Sequence, residues 1–503
     1  MRHLRMSSTK TRQSGKMRAL LLLIALFLVS VSCAAPASAE PATADQPNLI
    51  VILIDDLGWT DLSCQGSQYY ETPNIDRLAE RGVRFTNGYA ACSVCSPSRA
   101  ALLTGRYPAR VGITDWMRFR YGGQQPKGID GDREYESVGK KLETPVNPFW
   151  MEHSEVTLAE VLGEAGYRTC HVGKWHLGPD DYFPERQGFH VNIAGCDYGQ
   201  PPTYYYPYET KWQRPFPNFK PKQEGEYLTD RLAEEAANFI EKNREQRFFL
   251  HFAPYSVHTP IQPKKELLAK YEAKPKAGQK NAGYAAMVQS MDEAVGSVLA
   301  KLDEMQLTEN TVVIFTSDNG GYLKVTNNAP LRGGKGMVYE GGLKVPFIVH
   351  WPGVTAAGTT IDEPVMGIDI FPTLLDIAGV DRDEAEGDDP GDIDGVSLVP
   401  LLADEGPLDR DALFWHFPHY RGTDADPYGI VRAGDYKLIR QYEDGSTELY
   451  NLKDDGVESK DLAGGMPEKV KELDLLLSKW LISVEAKMPR ADPKFKEKEE
   501  SRE

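Results

Sequence analysis

Positive charge is in short supply in this chain: 57 lysines and arginines stand against 74 aspartates and glutamates, a formal charge of −17. That balance argues against nucleic acid as a partner, because phosphate backbones bind electropositive faces. Cysteine is scarce too. The six, Cys33, Cys64, Cys92, Cys95, Cys170 and Cys196, lack the paired short spacings of a zinc ribbon. For Cys64, Cys92, Cys170 and Cys196 the expectation is buried or disulfide-linked thiols. No internal repeat of a known period is present. Long apolar runs are missing as well: Ala19 to Val31 is too short to span a bilayer comfortably as a permanent helix.

What precedes that run gives it a meaning. Arg2, Arg5, Lys10, Arg12, Lys16 and Arg18 come before it and Ala37-Ser38-Ala39 follows, the pattern of an export signal with a small-residue cleavage site. Residues 1–39 therefore read as a signal peptide, and the mature chain as secreted or periplasmic, with no transmembrane segment. Cleavage before Cys33 would leave a lipid anchor instead; this ranks second, because Ser30 stands where such signals prefer leucine. Removing six cations and no acidic residue takes the charge from −17 to −23. A strongly anionic substrate would be repelled at long range, so its site must concentrate local positive charge.

The mature chain reads as α/β. Asn48 to Ile54 is a continuous apolar run ending in Asp55-Asp56, as expected of a central strand buried on both faces. Similar runs recur at 248–253, 311–316 and 345–351, with helical patterns at 73–82, 157–165 and 281–305. In such sheets ligands gather beyond the carboxyl ends of the strands. Residues 117–150 and 197–225 are expected to be long loops that shape a pocket. The acidic stretch 384–394 precedes a boundary near 405. Beyond it, strand-like runs at 412–417, 429–439 and 448–452 and a helix from 467 to 486 predict a small α+β domain. The division is thus 40–404 for the catalytic domain, 405–490 for the second, and 491–503 for a charged tail.

Cys95-Ser96-Pro97-Ser98-Arg99 opens a helix predicted to run from Pro97 to Gly105. A helix start favours an anion beside Cys95. The segment resembles the signature of the type I sulfatases, whose cysteine is oxidised to formylglycine (3-oxoalanine), and the match continues through Leu103-Thr104-Gly105-Arg106. It extends over nearly the whole mature chain: Asp55-Asp56, Gly173-Lys174-Trp175-His176-Leu177-Gly178, His258-Thr259-Pro260, Asp318-Asn319-Gly320 and Gly333-Gly334-Lys335 follow in the family's order. The resemblance implies an alkaline-phosphatase-like layered sheet flanked by helices, with a smaller C-terminal domain.

It also implies roles. Asp55, Asp56, Asp318 and Asn319 offer the hard oxygen ligands that suit calcium better than zinc, with modified Cys95 as a further ligand. An aldehyde hydrate presents one hydroxyl to attack sulfur and a second to expel sulfate, an exit route that a plain alcohol or thiol lacks. Arg99 would hold the modified side chain and its ligands. Lys174 would bind the sulfate and His176 would take a proton, while His258 and Lys335 would contact the leaving oxygen, with His258 the better acid near neutral pH. Partners implied are a formylglycine-generating maturation enzyme and a sulfated saccharide. Aromatic and polar residues at Asp115, Trp116, His416 and His419 are candidate substrate contacts, and Tyr204, Tyr205, Tyr206 and Tyr208 candidate pocket tyrosines, whereas His153, His171, His190 and His251 read as structural. Rivals are an arylsulfatase, a phosphate or phosphonate ester hydrolase on the same fold, and a silent carbohydrate-binding protein.

Overall fold

The computed structural model describes residues 46–118, 133–211, 213–381, 393–422 and 425–495. The expected signal peptide and most of the acidic stretch 384–394 lie outside the described residues.

Asn48–Ile54 is a strand with every residue buried. Its side chains alternate between two cores, because successive residues of a strand point to opposite faces. Ile50, Ile52 and Ile54 join helices Pro73–Arg81, Leu228–Lys242 and Ala282–Glu304. Leu49, Val51 and Leu53 join helices Cys95–Thr104, Leu158–Glu164 and Ile370–Ala378. That double burial is why the run is apolar throughout, and it makes the molecule a helix–sheet–helix sandwich. The helix starts carry their own caps: Thr157 and Glu160 form a reciprocal capping box, and Asn281 Oδ1 accepts from the Gly283 and Tyr284 amides at 2.9 and 3.2 Å.

Eight strands build the sheet in the order 359–361, 83–85, 347–350, 311–317, 48–54, 248–253, 168–173, 191–193. The five from Thr311–Ser317 to Val191–Ile193 run parallel, while Phe347–His350 is antiparallel to both its neighbours. Arg168–Gly173 lacks the continuous apolar run that marks the other central strands. It is short and begins with a polar Arg-Thr pair, so its identity depends on its neighbour Phe248–Ala253.

The second sheet is antiparallel, with strands Ala412–Phe417, Tyr428–Ala433, Tyr436–Gln441 and Thr447–Asn451 covered by helix Pro467–Ser483. The expected single run 429–439 is two strands. Ala433 pairs with Tyr436 around Gly434-Asp435, and Gly434 at φ +54° gives the tight turn. Arg490, the last residue of the expected second domain, and Ala491, the first of the expected charged tail, pair with Glu143 and Leu142. All five described cysteines are free thiols; Cys64 is half-buried and the rest are buried, so the expectation resolves without a disulfide among the described residues.

Candidate active site

Four neighbouring parallel strands each deliver chemistry at their carboxyl ends. Asp55 and Asp56 follow Ile54, and Asp318 and Asn319 follow Ser317. Lys174 and His176 follow Gly173, and His258 lies five residues past Ala253. Backbone bonds lock these ends together: the Asp318 amide donates to Ile54 O at 3.1 Å, and the Lys174 amide to Ala253 O at 2.6 Å. Gly173 is required there. It sits at φ +110°, and a Cβ would lie 2.1 Å from Ala253 O.

Cys95 arrives from the helix layer. Its helix begins at Cys95 itself, two residues before the expected start, because Pro97 still falls in the first turn, where no amide is needed. Ser98 Oγ clamps the preceding bend, accepting from Cys92 N and reaching Cys92 O, both at 3.0 Å. Among the described residues, Asp55, Asp56, Cys95 and His258 can each offer a ligand atom within 4.8 Å of the others.

Three cations balance three carboxylates. Lys174 Nζ donates to both Asp55 oxygens at 2.7 and 2.8 Å. Arg99 grips Asp318 through Nε and Nη2 at 2.9 and 2.7 Å and the Lys174 carbonyl at 2.8 Å. Lys335 Nζ lies 2.6 Å from Asp56 Oδ1 and 3.6 Å from Cys95 Sγ. Asn319 Nδ2 donates to Asp56 Oδ1 at 2.9 Å, which leaves Asn319 Oδ1 buried with no donor among the described residues.

Burial sets the proton affinities. It drives the Asp55 carboxyl up to about 8, against the pull of Lys174. Burial works the same way on Asp56, but Lys335 and His258 hold it below the usual carboxylate range. The Cys95 thiol is pushed up by burial, so the unmodified side chain is a poor nucleophile. Burial disfavours the Lys335 ammonium, yet Asp56 keeps its pKa above the ordinary value. His258 is pushed down to about 3, by burial and then by Lys335.

The histidine tautomers follow from their partners. His176 Nε2 lies 2.8 Å from Met117 O, and a carbonyl only accepts, so Nε2 carries the hydrogen. Nδ1 is left with its lone pair, buried and without a partner, which is the form a proton acceptor needs. His258 Nδ1 likewise faces Thr259 O at 2.9 Å, and Nε2 is turned towards Asp56 at 3.5 Å.

A cavity of about 590 Å³ opens over this floor, lined by Cys95, His176, His258 and Lys335 and, on its walls, by Trp116, Met117, Tyr198, Gln200, Gln213 and Arg421. Trp116, 42% exposed, is in it. The other expected contacts are placed differently. Asp115 and His419 line a neighbouring cleft, with His419 Nε2 2.8 Å from Thr114 Oγ1. His416 has both ring nitrogens engaged, by Tyr442 Oη at 2.8 Å and Lys487 O at 3.2 Å, and lines neither space. None of the four candidate tyrosines, Tyr204, Tyr205, Tyr206 and Tyr208, lines the cavity, although Tyr198 of the same loop does: Tyr204 Oη reaches the carbonyls of Tyr255 and His258, and Tyr205 Oη that of Pro263. His171 and His251 face each other at 3.0 Å behind Gly173. Arg421, Gln200 and Gln213 escaped the sequence reading, since isolated polar residues in loops carry no periodic or motif signal.

A family model described as Sulfatase matches residues 47–380, and one described as N-sulphoglucosamine sulphohydrolase, C-terminal, matches residues 334–487. A sulfatase of Formosa agariphila is 34% identical over 535 residues, covering 91% of this chain and 93% of that protein. N-acetylgalactosamine-6-sulfatase of Homo sapiens is 33% identical over 395 residues, 73% of this chain and 68% of that one. Among solved structures, Ps i-CgsB in complex with k-i-k-neocarrahexaose matches with a TM-score of 0.72 at 29% identity, over 86% of this chain and 92% of that one.

Proposed function

Since the chain belongs to the sulfatase family and is a sulfuric ester hydrolase, we propose that Cys95, oxidised to formylglycine by a maturation enzyme, supplies its nucleophile. The observation that carries this reading is the position of Cys95: at a helix start, 3.6 Å from Lys335 Nζ and within reach of Asp55, Asp56 and His258.

A hard dication fits the remaining residues. Asp55, Asp56, Asp318 and Asn319 present only oxygen donors, and the buried Asn319 Oδ1 lacks a partner that a cation would provide. Calcium is the metal we propose. It would supply a Lewis acid for the sulfate, and the aldehyde hydrate a hydroxyl to attack and another to drive release. Lys174 and Lys335 bind anionic oxygens, and Arg99 braces Asp318 and the Lys174 backbone. His176 Nδ1 accepts a proton. His258 is neutral before substrate arrives; an incoming sulfate ester brings negative charge beside Nε2 and raises its proton affinity, which suits it to protonate the departing oxygen.

The substrate we propose is a sulfated carbohydrate. The names of the relatives support it, as does the size of the cavity, with an exposed indole on its wall. Export through residues 1–39 and a secreted or periplasmic location belong to the same proposal, as does the division of the mature chain at 404/405. No helix among the described residues is long and apolar enough to cross a membrane.

Peptide mass spectrometry of active protein tests the mechanism: residue 95 is expected as an aldehyde. Activity with an intact Cys95 thiol would overturn it. Faster cleavage of phosphate monoesters than of sulfate esters by the same preparation would favour the rival phosphohydrolase.

A further inference from the structure

The cavity holds one more cation than the reaction uses. Arg421 reaches the same space from a separate element, just after the strand Ala412–Phe417, with its amide donating to Ala425 O at 2.8 Å. Its side chain crosses Gly336: a Cβ there would meet Arg421 Nε at 2.1 Å and Cδ at 2.4 Å. Gly336 in turn sits at φ +84° and donates to Ser93 O at 2.8 Å, two residues before Cys95. The absence of a side chain at 336 thus lets a guanidinium pass one residue from Lys335.

Trp116 stands in the same cavity wall, on a backbone that Asn147 braces. Asn147 Oδ1 accepts from the Thr114 and Asp115 amides at 3.0 Å each, and its Nδ2 donates to Asp115 O at 2.9 Å. Gln200 and Gln213 add neutral polar groups. An aromatic face suits a sugar ring, and a planar guanidinium suits the paired oxygens of a sulfate or carboxylate.

We propose that Arg421 and Trp116 form a subsite for a second anionic group, so that this enzyme acts on saccharides carrying a further sulfate or carboxylate on or beside the ring that bears the scissile ester. This rests on the sulfatase reading. In a chain of formal charge −17, a cation at this position decides which anions dwell in the cavity.

The test is a comparison of kcat/KM on matched sugars. Galactose, N-acetylgalactosamine and glucosamine are each supplied as monosulfate and disulfate, with a uronate-containing monosulfated disaccharide and nitrophenyl sulfate alongside. The wild type is expected to favour at least one doubly charged member over its monosulfate roughly tenfold or more, mainly through KM. Preference for a disulfate or for the uronate disaccharide identifies the second anion. Arg421→Ala is expected to collapse that preference, and Arg421→Lys, which keeps the charge but not the fork, to restore part of it. Circular dichroism checks that both variants fold, and the wild-type preference stands as a test without them. An enzyme that cleaves nitrophenyl sulfate yet favours no doubly charged sugar overturns the subsite and leaves the sulfatase reading intact. A mature enzyme that cleaves no sulfate ester at all overturns both.

Discussion

At the scale of single residues, the two histidines of the site are distinguished by which nitrogen is free. His176 keeps an unpartnered Nδ1, and His258 turns Nε2 towards Asp56. Their loss should therefore differ in kind. If His258 protonates the leaving oxygen, His258→Ala costs far more on sugar sulfates, whose alcohols leave poorly, than on nitrophenyl sulfate; a difference of about a hundredfold is expected. If His176 accepts the proton that drives sulfate release, His176→Ala should give a burst of alcohol in the first turnover followed by a slow steady state. Equal losses on both substrates for His258→Ala, or no burst for His176→Ala, would show the roles to be wrongly assigned. Rapid-quench kinetics read both.

Between elements, the glycine-rich turn that carries Lys335 is tied to the second sheet by a buried ionic knot. Lys437 Nζ lies 3.0 Å from Glu340 and 2.7 Å from Glu458, all three nearly inaccessible. Glu458 also accepts from the Glu340 amide at 2.7 Å, and Tyr89 donates to Glu340 at 2.6 Å. Around this knot a shared apolar core joins Tyr89, Val94 and Val338 to Ile430, Leu438 and Leu477. Lys437→Met leaves two carboxylates facing each other out of water, so a loss of about 3–5 kcal/mol is expected in denaturant unfolding. A loss below about 1 kcal/mol would mean that the knot contributes no more than an exposed pair.

For the whole molecule, burial of charge dictates how stability follows pH. His171, His258 and His419 are pushed to about 3, and His416 to about 4, each chiefly by burial. By about pH 7.5 these are almost wholly neutral in both the folded and unfolded chains and contribute little slope. Asp55 does contribute: its folded pKa of about 8 lies above its unfolded value, so the metal-free fold binds the extra proton and its stability is lost as pH rises towards 8. Thermal unfolding in chelator should therefore give a Tm that falls between about pH 7.5 and 8.5. Calcium requires the ionised carboxylates, so its stabilisation should grow over the same range and remove the fall. A flat metal-free profile, or a calcium effect that shrinks with pH, would contradict this account.

Much of this molecule was legible in its sequence, for local reasons. Asn48–Ile54 and Thr311–Ser317 announced themselves because strands buried on both faces must be apolar throughout, and the carboxylates that end them stood out against those runs. The signature around Cys95 and the other motifs named the site residues one by one. What the sequence left open is what depends on contacts between distant segments. Strand Arg168–Gly173 exists because Phe248–Ala253 lies beside it, and the run 429–439 folds back because a turn at Gly434 lets its halves pair. His416 and His419 look alike in sequence, two aromatic-flanked histidines three residues apart, yet one is tied to Tyr442 and Lys487 and the other to Thr114. Arg421 lies across Gly336, 85 residues earlier, where a side chain would occupy its path. Periodicity and motifs record what each segment must bury or carry; which surfaces meet is decided by packing, and so only the tertiary structure decided the walls of the pocket.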